Sequence, residues 1–472
     1  MASVVALCGF LFYRLAPDVK GKPLYEDEAI TGLIAIRPLG EVLETVLVDR
    51  GGAPLHFLLA HAAFWVEASA DTLRWLSVLA ALAAVPLCFD LARRLGGLGA
   101  GVVAAAVAAS STALAVYGSF GRMYALFIFV AALFSDLFVR ALQVRTGRAV
   151  AAAAAAGWLL VAVHPYGAVP AFVALAAAAV IWRGRGLRSA LPVAIATLAA
   201  VPFLAADFRL ADRSAVGSEG ERLASPGEAW KQLIGALSAF AGGDELPLLF
   251  FTALGLVGLV VLVRREAALA ALAISTAIPP LMFVLVRTDT SPDLSPRHLF
   301  FGLPLWAAAI GIGASTLARR SPVVVALIGL IAVVSPASAL RDPREFGFGS
   351  ASPDETAAVH ADADDLLLPY SSVFLLALPD VRGALALPHG PGDEILRALE
   401  HADEPVDAVY LAVPTKPWTV RRLDGPFEKS GALSAAAETV HEYEATPELR
   451  DWLAWIEPGL CEALRELDRA CP

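Results

Sequence analysis

The pair Asp27-Glu28, in Leu24-Tyr25-Glu26-Asp27-Glu28-Ala29, follows the first apolar segment of a chain that is otherwise largely apolar. Carboxylates beside a membrane are costly to desolvate, so they are either solvated or used. Two further polar groups stand at the starts of apolar runs, Gly121-Arg122-Met123-Tyr124 and Pro296-Arg297-His298. A carboxylate takes a proton from an attacking hydroxyl, or orients it. Guanidinium groups grip an anionic phosphate through forked hydrogen bonds. If the three segments meet, they suit attack by a hydroxyl on a centre whose leaving group is a phosphate. A phosphate that resides in a membrane belongs to a lipid.

Each residue also has a structural alternative. Asp27 and Glu28 fit a solvated outer loop. Arg122 and Arg297 fit helix ends whose side chains snorkel to the headgroups. Tyr25, Tyr124 and Tyr166 fit an aromatic belt as well as a substrate site. His56 and His61 fit the polar face of an interfacial helix, and His164, followed by Pro165, fits a helix terminator. Asp90 and Asp136 fall inside apolar runs. Asp90 has Arg93 and Arg94 three and four positions on, and Asp136 has Arg140 four on, so both are expected to pair along their helices rather than relay protons.

The elements that must hold these residues are membrane helices. The chain has 472 residues and a mean hydropathy of +0.65, far above a soluble globular protein. Its net charge of -10 is split. From Leu340 onward there are 25 acids against 11 Lys and Arg, a net -14, and the rest carries +4. A polytopic body thus precedes an acidic, water-soluble tail, and the acidity argues against nucleic acid as a partner. Cys8 and Cys88 lie in apolar runs. Cys461 and Cys471, if on one helix, are about 15 Å apart, too far for a disulfide. No Cys/His spacing of the metal-binding type is present. The first apolar stretch, Ala2–Tyr13, is short for a span and lacks the basic flank of a signal peptide, so it reads as an uncleaved first helix.

Further spans are expected at about 71–92, 98–117, 122–142, 149–163, 167–182, 189–207, 247–263, 267–286, 298–317 and 321–339. The basic links Arg93-Arg94, Arg145/Arg148, Arg183/Arg185/Arg188, Arg264-Arg265 and Arg319-Arg320 follow alternate helices, so all can face the cytoplasm. Pro54–Trp65 is apolar, but counting it as a span would invert every later link. It reads as an interfacial helix instead. Residues 17–70 then form one outer loop with amphipathic helices at 29–49 and 54–66. Other outer segments are turns at Tyr117–Arg122 and His164-Pro165-Tyr166, a long loop 208–246, and the proline-broken loop 287–297. The expected fold is mainly α: about 11 transmembrane helices in residues 1–339, with residues 340–472 as a small extracytoplasmic α/β domain. In that tail, Val406–Val413 reads as a strand and Asp393–Ala402 and Pro447–Ala470 as helices.

The order of motifs resembles a known group. It runs from a short first helix to the Asp-Glu pair, then Pro-Leu-aromatic-Leu-Leu, Arg74-Trp-Leu-Ser77, Arg122-x-Tyr-Ala-Leu126, His-Pro-Tyr and Pro296-Arg297. This resembles bacterial glycosyltransferases of the GT-C superfamily, in particular family 39, which includes protein O-mannosyltransferases and the lipid A aminoarabinose transferase. The likeness covers about residues 10–340. It implies a polyprenyl-phosphate-linked sugar as donor, inverting transfer on the outer face, and a protein, lipid or glycan acceptor. By the same resemblance Asp27 activates the acceptor or binds metal, and Glu28 helps order the loop. Arg122 and Arg297, with His298 in place of the usual tyrosine, meet the lipid phosphate. Tyr25, His56, Tyr124, His164 and Tyr166 are further substrate-binding candidates. Many relatives carry an acid where this chain has Phe120. A second acid would then come from Glu26, Asp289 or Asp293, or metal binding is weakened; use of a divalent cation stays open. The competing classes are a transporter or flippase of a lipid-linked or anionic solute, and a non-catalytic envelope assembly protein. Neither inverted repeats nor Gly/Pro-broken helices in matching halves are present to favour transport.

Overall fold

The computed structural model describes residues 2–21, 24–49, 53–181, 185–203, 205, 226–285 and 294–319, with strand segments 350–351, 365–368, 382–383, 406–413 and 419–427. The expected last span, 321–339, and the expected tail helices lie outside the described residues. Among the described residues, five helices are long and apolar enough to cross a membrane, and shorter apolar helices accompany them. The chain is a mainly α, multi-pass membrane protein.

Helix α1, Ala2–Gly21, is longer than the expected Ala2–Tyr13. Leu11, Leu15 and Val19 are fully buried at fourth-residue spacing, so the packed stripe runs on past Tyr13. Polar residues in the added turns find partners there: the Ser119 hydroxyl donates to Asp18 and the Val19 carbonyl accepts from Arg74. The segment after α1 therefore begins past Gly21, not at 17. It opens with strand β1, Leu24–Tyr25, and continues through helices α2, Glu26–Ala35, α3, Leu39–Asp49, and α4, Leu55–Phe64. The single amphipathic helix expected at 29–49 is thus two helices. Pro38 pushes the residue before it out of the helical region and ends the first. Ile30, Ile34, Val42, Val46 and Phe57 bury together, giving α2–α4 a small core of their own.

Helix α5, Ala70–Gly96, runs from the Asp27 end of the bundle to the far end, where Gly97 (φ +89°) turns the chain into α6, Leu98–Ser110. The expected span 98–117 is broken. Ser111 is extended and caps α7, Thr112–Tyr117, by accepting from the Leu114 amide. Helices α8, Tyr124–Val144, α9, Gly147–Val163, α10, Ala168–Ile181, and α11, Arg185–Ala199, follow. The expected loop 208–246 contains a helix, α12, Pro226–Ala241, whose Ala236, Leu237, Phe240 and Ala241 are buried. Helix α13, Leu246–Arg265, leads to α14, Ala267–Ile274, and α15, Ile278–Leu285, which are separated by the 3-10 turn Ser275–Ala277 where one span was expected. The turn Pro296–Gly302 then feeds α16, Leu303–Ala318.

At the far end, Asp90 and Asp136 pair as expected, and across helices as well. Asp90 accepts from Arg93 (2.5 Å) and Arg94 (2.8 Å) and from Arg140 of α8 (2.6 Å). Asp136 meets Arg140 (2.8 Å) and Arg94 of α5 (3.0 Å). The bundle centre is closed by small residues. A Cβ on Gly258 of α13 would collide with the Ala309 carbonyl of α16, and one on Gly313 with the Leu254 carbonyl of α13. Leu249, Leu256, Val260 and Val263 leave a largely exposed stripe on α13 for acyl chains to cover. Gly258→Leu is accordingly expected to cost at least about 2 kcal/mol by overpacking. The expected measurement is a lowered unfolding temperature in detergent, whereas Val260→Leu on the lipid stripe leaves it unchanged.

In the tail, strand β2, Ser350–Ala351, pairs antiparallel with β1, bringing the tail chain to within two residues of Asp27. Strands β3, Asp365–Leu368, β4, Arg382–Gly383, β5, Val406–Val413, and β6, Thr419–Phe427, form one sheet in the order β4-β3-β5-β6. The first three strands are parallel and β6 is antiparallel to β5.

Candidate functional site

The acid pair is not in a loop. It occupies the first turn of α2, where the amino-terminal end of a helix favours negative charge. The two carboxylates have different surroundings. Glu28 is 2% exposed. Its Oε1 accepts from Arg74 Nε (3.0 Å) and from the Gly121 amide (2.7 Å), and its Oε2 from Arg74 Nη2 (2.8 Å) and the Tyr25 amide (3.3 Å). Arg74 also donates to the Val19 carbonyl at 3.0 Å. One buried fork thus ties α1, β1, α2, α5 and the turn before α8. Gly121 is needed for the approach: a Cβ there would sit 3.0 Å from Leu73 Cβ and 3.2 Å from Glu28 Oε1. Ser77 fixes the same turn by donating to the Phe120 carbonyl at 2.6 Å.

Asp27 has a looser setting. Its backbone carbonyl accepts from the Thr31 hydroxyl (2.9 Å) and from Arg122 Nη1 (3.3 Å). Its carboxylate, 31% exposed, lies 3.9 Å from Arg122 Nε, an ion pair too long to be a hydrogen bond. Arg122 also donates to Thr31 Oγ1 at 3.1 Å. Arg297 comes to the same place from the turn before α16. Its guanidinium lies over the Tyr124 ring at 5.4 Å, and its charge interacts with Asp27, Tyr117, Tyr124 and Tyr25. The Nε atoms of Arg122 and Arg297 are both buried with no hydrogen-bond acceptor among the described residues.

Aromatic rings wall this end. Tyr117 packs on Tyr124 (5.0 Å), Phe300 (5.2 Å) and Phe120 (5.8 Å), and Tyr25 packs on Phe120 (5.7 Å). Phe120 is therefore a buried spacer between two tyrosines. His164, Tyr166 and His298 form a second group: Tyr166 stacks on His298 at 5.3 Å, and His164 lies 5.5 Å from each. Each histidine uses Nδ1 as an acceptor, His164 from the Tyr166 amide (3.3 Å) and His298 from the Ser295 amide (3.2 Å). The ring proton is then on Nε2 in both. His56 is buried and donates through Nε2 to the Gly121 carbonyl at 3.3 Å, and His61 bonds the Ala35 carbonyl at 2.8 Å.

All ten singled-out residues thus gather at one end of the bundle, in unlike settings: Asp27, Arg122 and Arg297 around an open carboxylate, Glu28 in a closed fork, His56 behind the turn. Thr31 and Tyr117 join them, as do Arg74 and Ser77, which the sequence offers as a motif but not as site residues. The signal for Arg74 was available, since a charge in the first turns of an apolar helix needs a partner.

Burial, with Arg122 nearby, lowers His56 to about 3, against the pull of the Gly121 carbonyl. Burial, with Arg122 and Arg297, lowers His164 to about 3. Both rings are therefore neutral when folded and protonate below about 6.5 when unfolded. The unfolded chain binds more protons in that window, so stability is full above pH ~6.5 and falls as the pH drops towards 3. Unfolding temperature should decline already between about pH 6.5 and 5, before most carboxylates titrate, and His164→Gln should flatten the decline. A flat profile for the native chain would contradict the neutral assignment.

No protein-family model and no curated protein matches the chain. Solved structures do. ArnT from Cupriavidus metallidurans in the apo state aligns with a TM-score of 0.57 at 12% identity, over 87% of this chain and 92% of that one. The Archaeoglobus fulgidus oligosaccharyltransferase in complex with Zn and sulfate aligns at 0.53 and 14% identity, over 83% of this chain and 63% of that one. The fold is of the GT-C type. A third structure with this fold, the archaeal oligosaccharyltransferase AglB from A. fulgidus with an inhibitory peptide and a dolichol-phosphate, aligns at 0.51 and 11% identity, over 87% and 69% of the two chains. This chain spans only 63% of the first oligosaccharyltransferase's length. At these identities the likeness is one of GT-C fold, and the chemistry must come from the site.

Proposed function

We propose that the chain is a membrane glycosyltransferase of family 39 type. It moves a mannose- or arabinose-type sugar from a polyprenyl phosphate to an acceptor hydroxyl on the outer face of the cell membrane, with inversion. One observation carries this: an open carboxylate, Asp27, lies 3.9 Å from one of two guanidiniums whose buried Nε–H groups lack an acceptor among the described residues. Buried unpaired donors are costly, and an anionic ligand satisfies them.

In this proposal the donor phosphate lies between Arg122 and Arg297, with the Nε2–H of His298 as a further donor. Asp27 accepts the proton of the acceptor hydroxyl. The acceptor oxygen bonds to the anomeric carbon from the side opposite the phosphate as the carbon–oxygen bond to phosphate breaks. The electron pair stays on the phosphate oxygen, whose growing charge the guanidiniums meet in the transition state. Glu28 takes no part in proton transfer, because both its oxygens are committed; it positions Asp27 and Gly121. Tyr124 holds Arg297, and Tyr25, Tyr166 and His164 line the sugar side.

The test is release of free polyprenyl phosphate from polyprenyl-phosphomannose and its arabinose counterpart by the purified full chain with candidate acceptors. Arg297→Ala should weaken donor binding and lower turnover by roughly 10²–10³-fold. No release from either donor, with solute uptake into vesicles instead, would replace the transferase with a transporter.

A further inference from the structure

The leaving phosphate of such a transfer needs positive charge beside it, and a divalent cation held by acids is one way to supply it. One structure of similar fold was obtained in complex with Zn and sulfate. The donor set around Asp27 does not fit such an ion. A dication binds through acceptors, chiefly carboxylates and unprotonated imidazole nitrogens. Among the described residues most of the polar atoms here are donors or are already spent. Arg122 Nε stands 3.9 Å from the Asp27 carboxylate, a cation already in place beside it. Glu28, the neighbouring acid, spends both oxygens on Arg74, Gly121 and Tyr25. In His164 and His298, Nδ1 is taken by a backbone amide, which leaves a protonated Nε2. His56 donates through Nε2 to the Gly121 carbonyl, which leaves a single unprotonated nitrogen, Nδ1, on a ring packed behind the turn. Phe120, packed between Tyr25 and Tyr117, contributes a ring and no acceptor, and Asp289 and Asp293 lie outside the described residues. Among the described residues no three His, Cys, Asp or Glu side chains gather as a metal site.

Charge points the same way. Glu28 pairs with Arg74, which Asp18 and Asp71 also approach, so the charges that face Asp27 are the guanidiniums of Arg122 and Arg297, and these three groups make a net positive site. A dication is repelled by it. A phosphodiester of one negative charge neutralises it. After transfer the phosphate is a dianion and Asp27 carries the acceptor's proton, and the two guanidiniums again balance the charge.

We infer that Arg122 and Arg297 together replace a divalent cation in this chain, so that sugar transfer runs without one. The inference rests on the transferase reading above, and the experiment separates the two. Full-length protein, washed with excess EDTA, is assayed for polyprenyl phosphate release in EDTA and with added Mn²⁺, Mg²⁺ or Zn²⁺. In parallel, Mn²⁺ and Zn²⁺ binding is measured by equilibrium dialysis for the native chain and for Asp27→Asn. The expected results are release in EDTA within about twofold of that with metal, equal metal uptake by both chains, and an Arg122→Ala variant that no metal rescues. Release abolished by EDTA and restored by a cation would overturn the inference while leaving the transferase standing. Metal uptake that disappears in Asp27→Asn would overturn it as well. Release under no condition would remove the transferase reading and the inference with it.

Discussion

Asp27→Asn should leave a folded protein whose turnover is lower by roughly 10²–10⁴-fold. The fold should survive because the ties at this position belong to the backbone carbonyl, which accepts from Thr31 and Arg122 and is unchanged in asparagine. The carboxylate contributes only a 3.9 Å ion pair at a part-exposed position, which is worth little to stability. The kinetic pattern distinguishes a base from a structural acid. Removing the negative charge beside Arg122 and Arg297 leaves the cationic site more attractive to a phosphodiester. Donor affinity should therefore hold or tighten while kcat falls, the reverse of the Arg297→Ala pattern, in which donor binding weakens. Measuring kcat and the donor KM for both variants checks the contrast. Native-like turnover in Asp27→Asn would remove this residue from proton transfer.

The membrane body was legible because its signal is repetitive. Apolar runs of span length and basic links after alternate helices are dictated by the bilayer, and the helices α5, α8, α13 and α16 lie where those runs place them. The breaks inside spans were less legible. Ser111 interrupts 98–117 and Ser275–Ala277 interrupts 267–286, yet a serine in an apolar run is equally compatible with a continuous helix in which its hydroxyl bonds a carbonyl one turn back. The expected boundaries at residues 17 and 29 are both displaced, for one reason. Polar residues suggest a loop, whereas Arg74, Ser119 and Arg122, far off in sequence, supply partners that let α1 run to Gly21 and α2 begin at Glu26.

In the site, residue types pointed to which groups gather but not to their different settings. Asp27 and Glu28 are adjacent acids, and nothing local distinguishes them. The difference comes from helical geometry, which turns successive side chains by about 100° and so sends the two carboxylates to different neighbours. One meets the Arg74 fork and a backbone amide, the other meets Arg122 across a gap. Gly121 carried a readable hint, since a glycine at a helix entrance permits close approach; what approaches, Glu28 Oε1, was visible only in three dimensions.

That fork makes the second large prediction. Glu28 and Arg74 are 2% and 3% exposed, and removing either breaks a buried, doubly hydrogen-bonded ion pair. Glu28→Met and Arg74→Met should each destabilise the protein by about 3–5 kcal/mol. The double variant should recover much of that loss, because two apolar side chains of similar length remove both charges at once. Activity should not recover with it. Gly121 donates to Glu28 at 2.7 Å and belongs to the turn that delivers Arg122, so without Glu28 the guanidinium loses its fixed place beside Asp27. A double-mutant cycle on unfolding temperature should therefore show strong coupling, while the release assay shows the double variant as slow as either single one. Recovery of turnover along with stability would mean that the fork serves the fold alone and that Asp27 and Arg122 find their geometry without it.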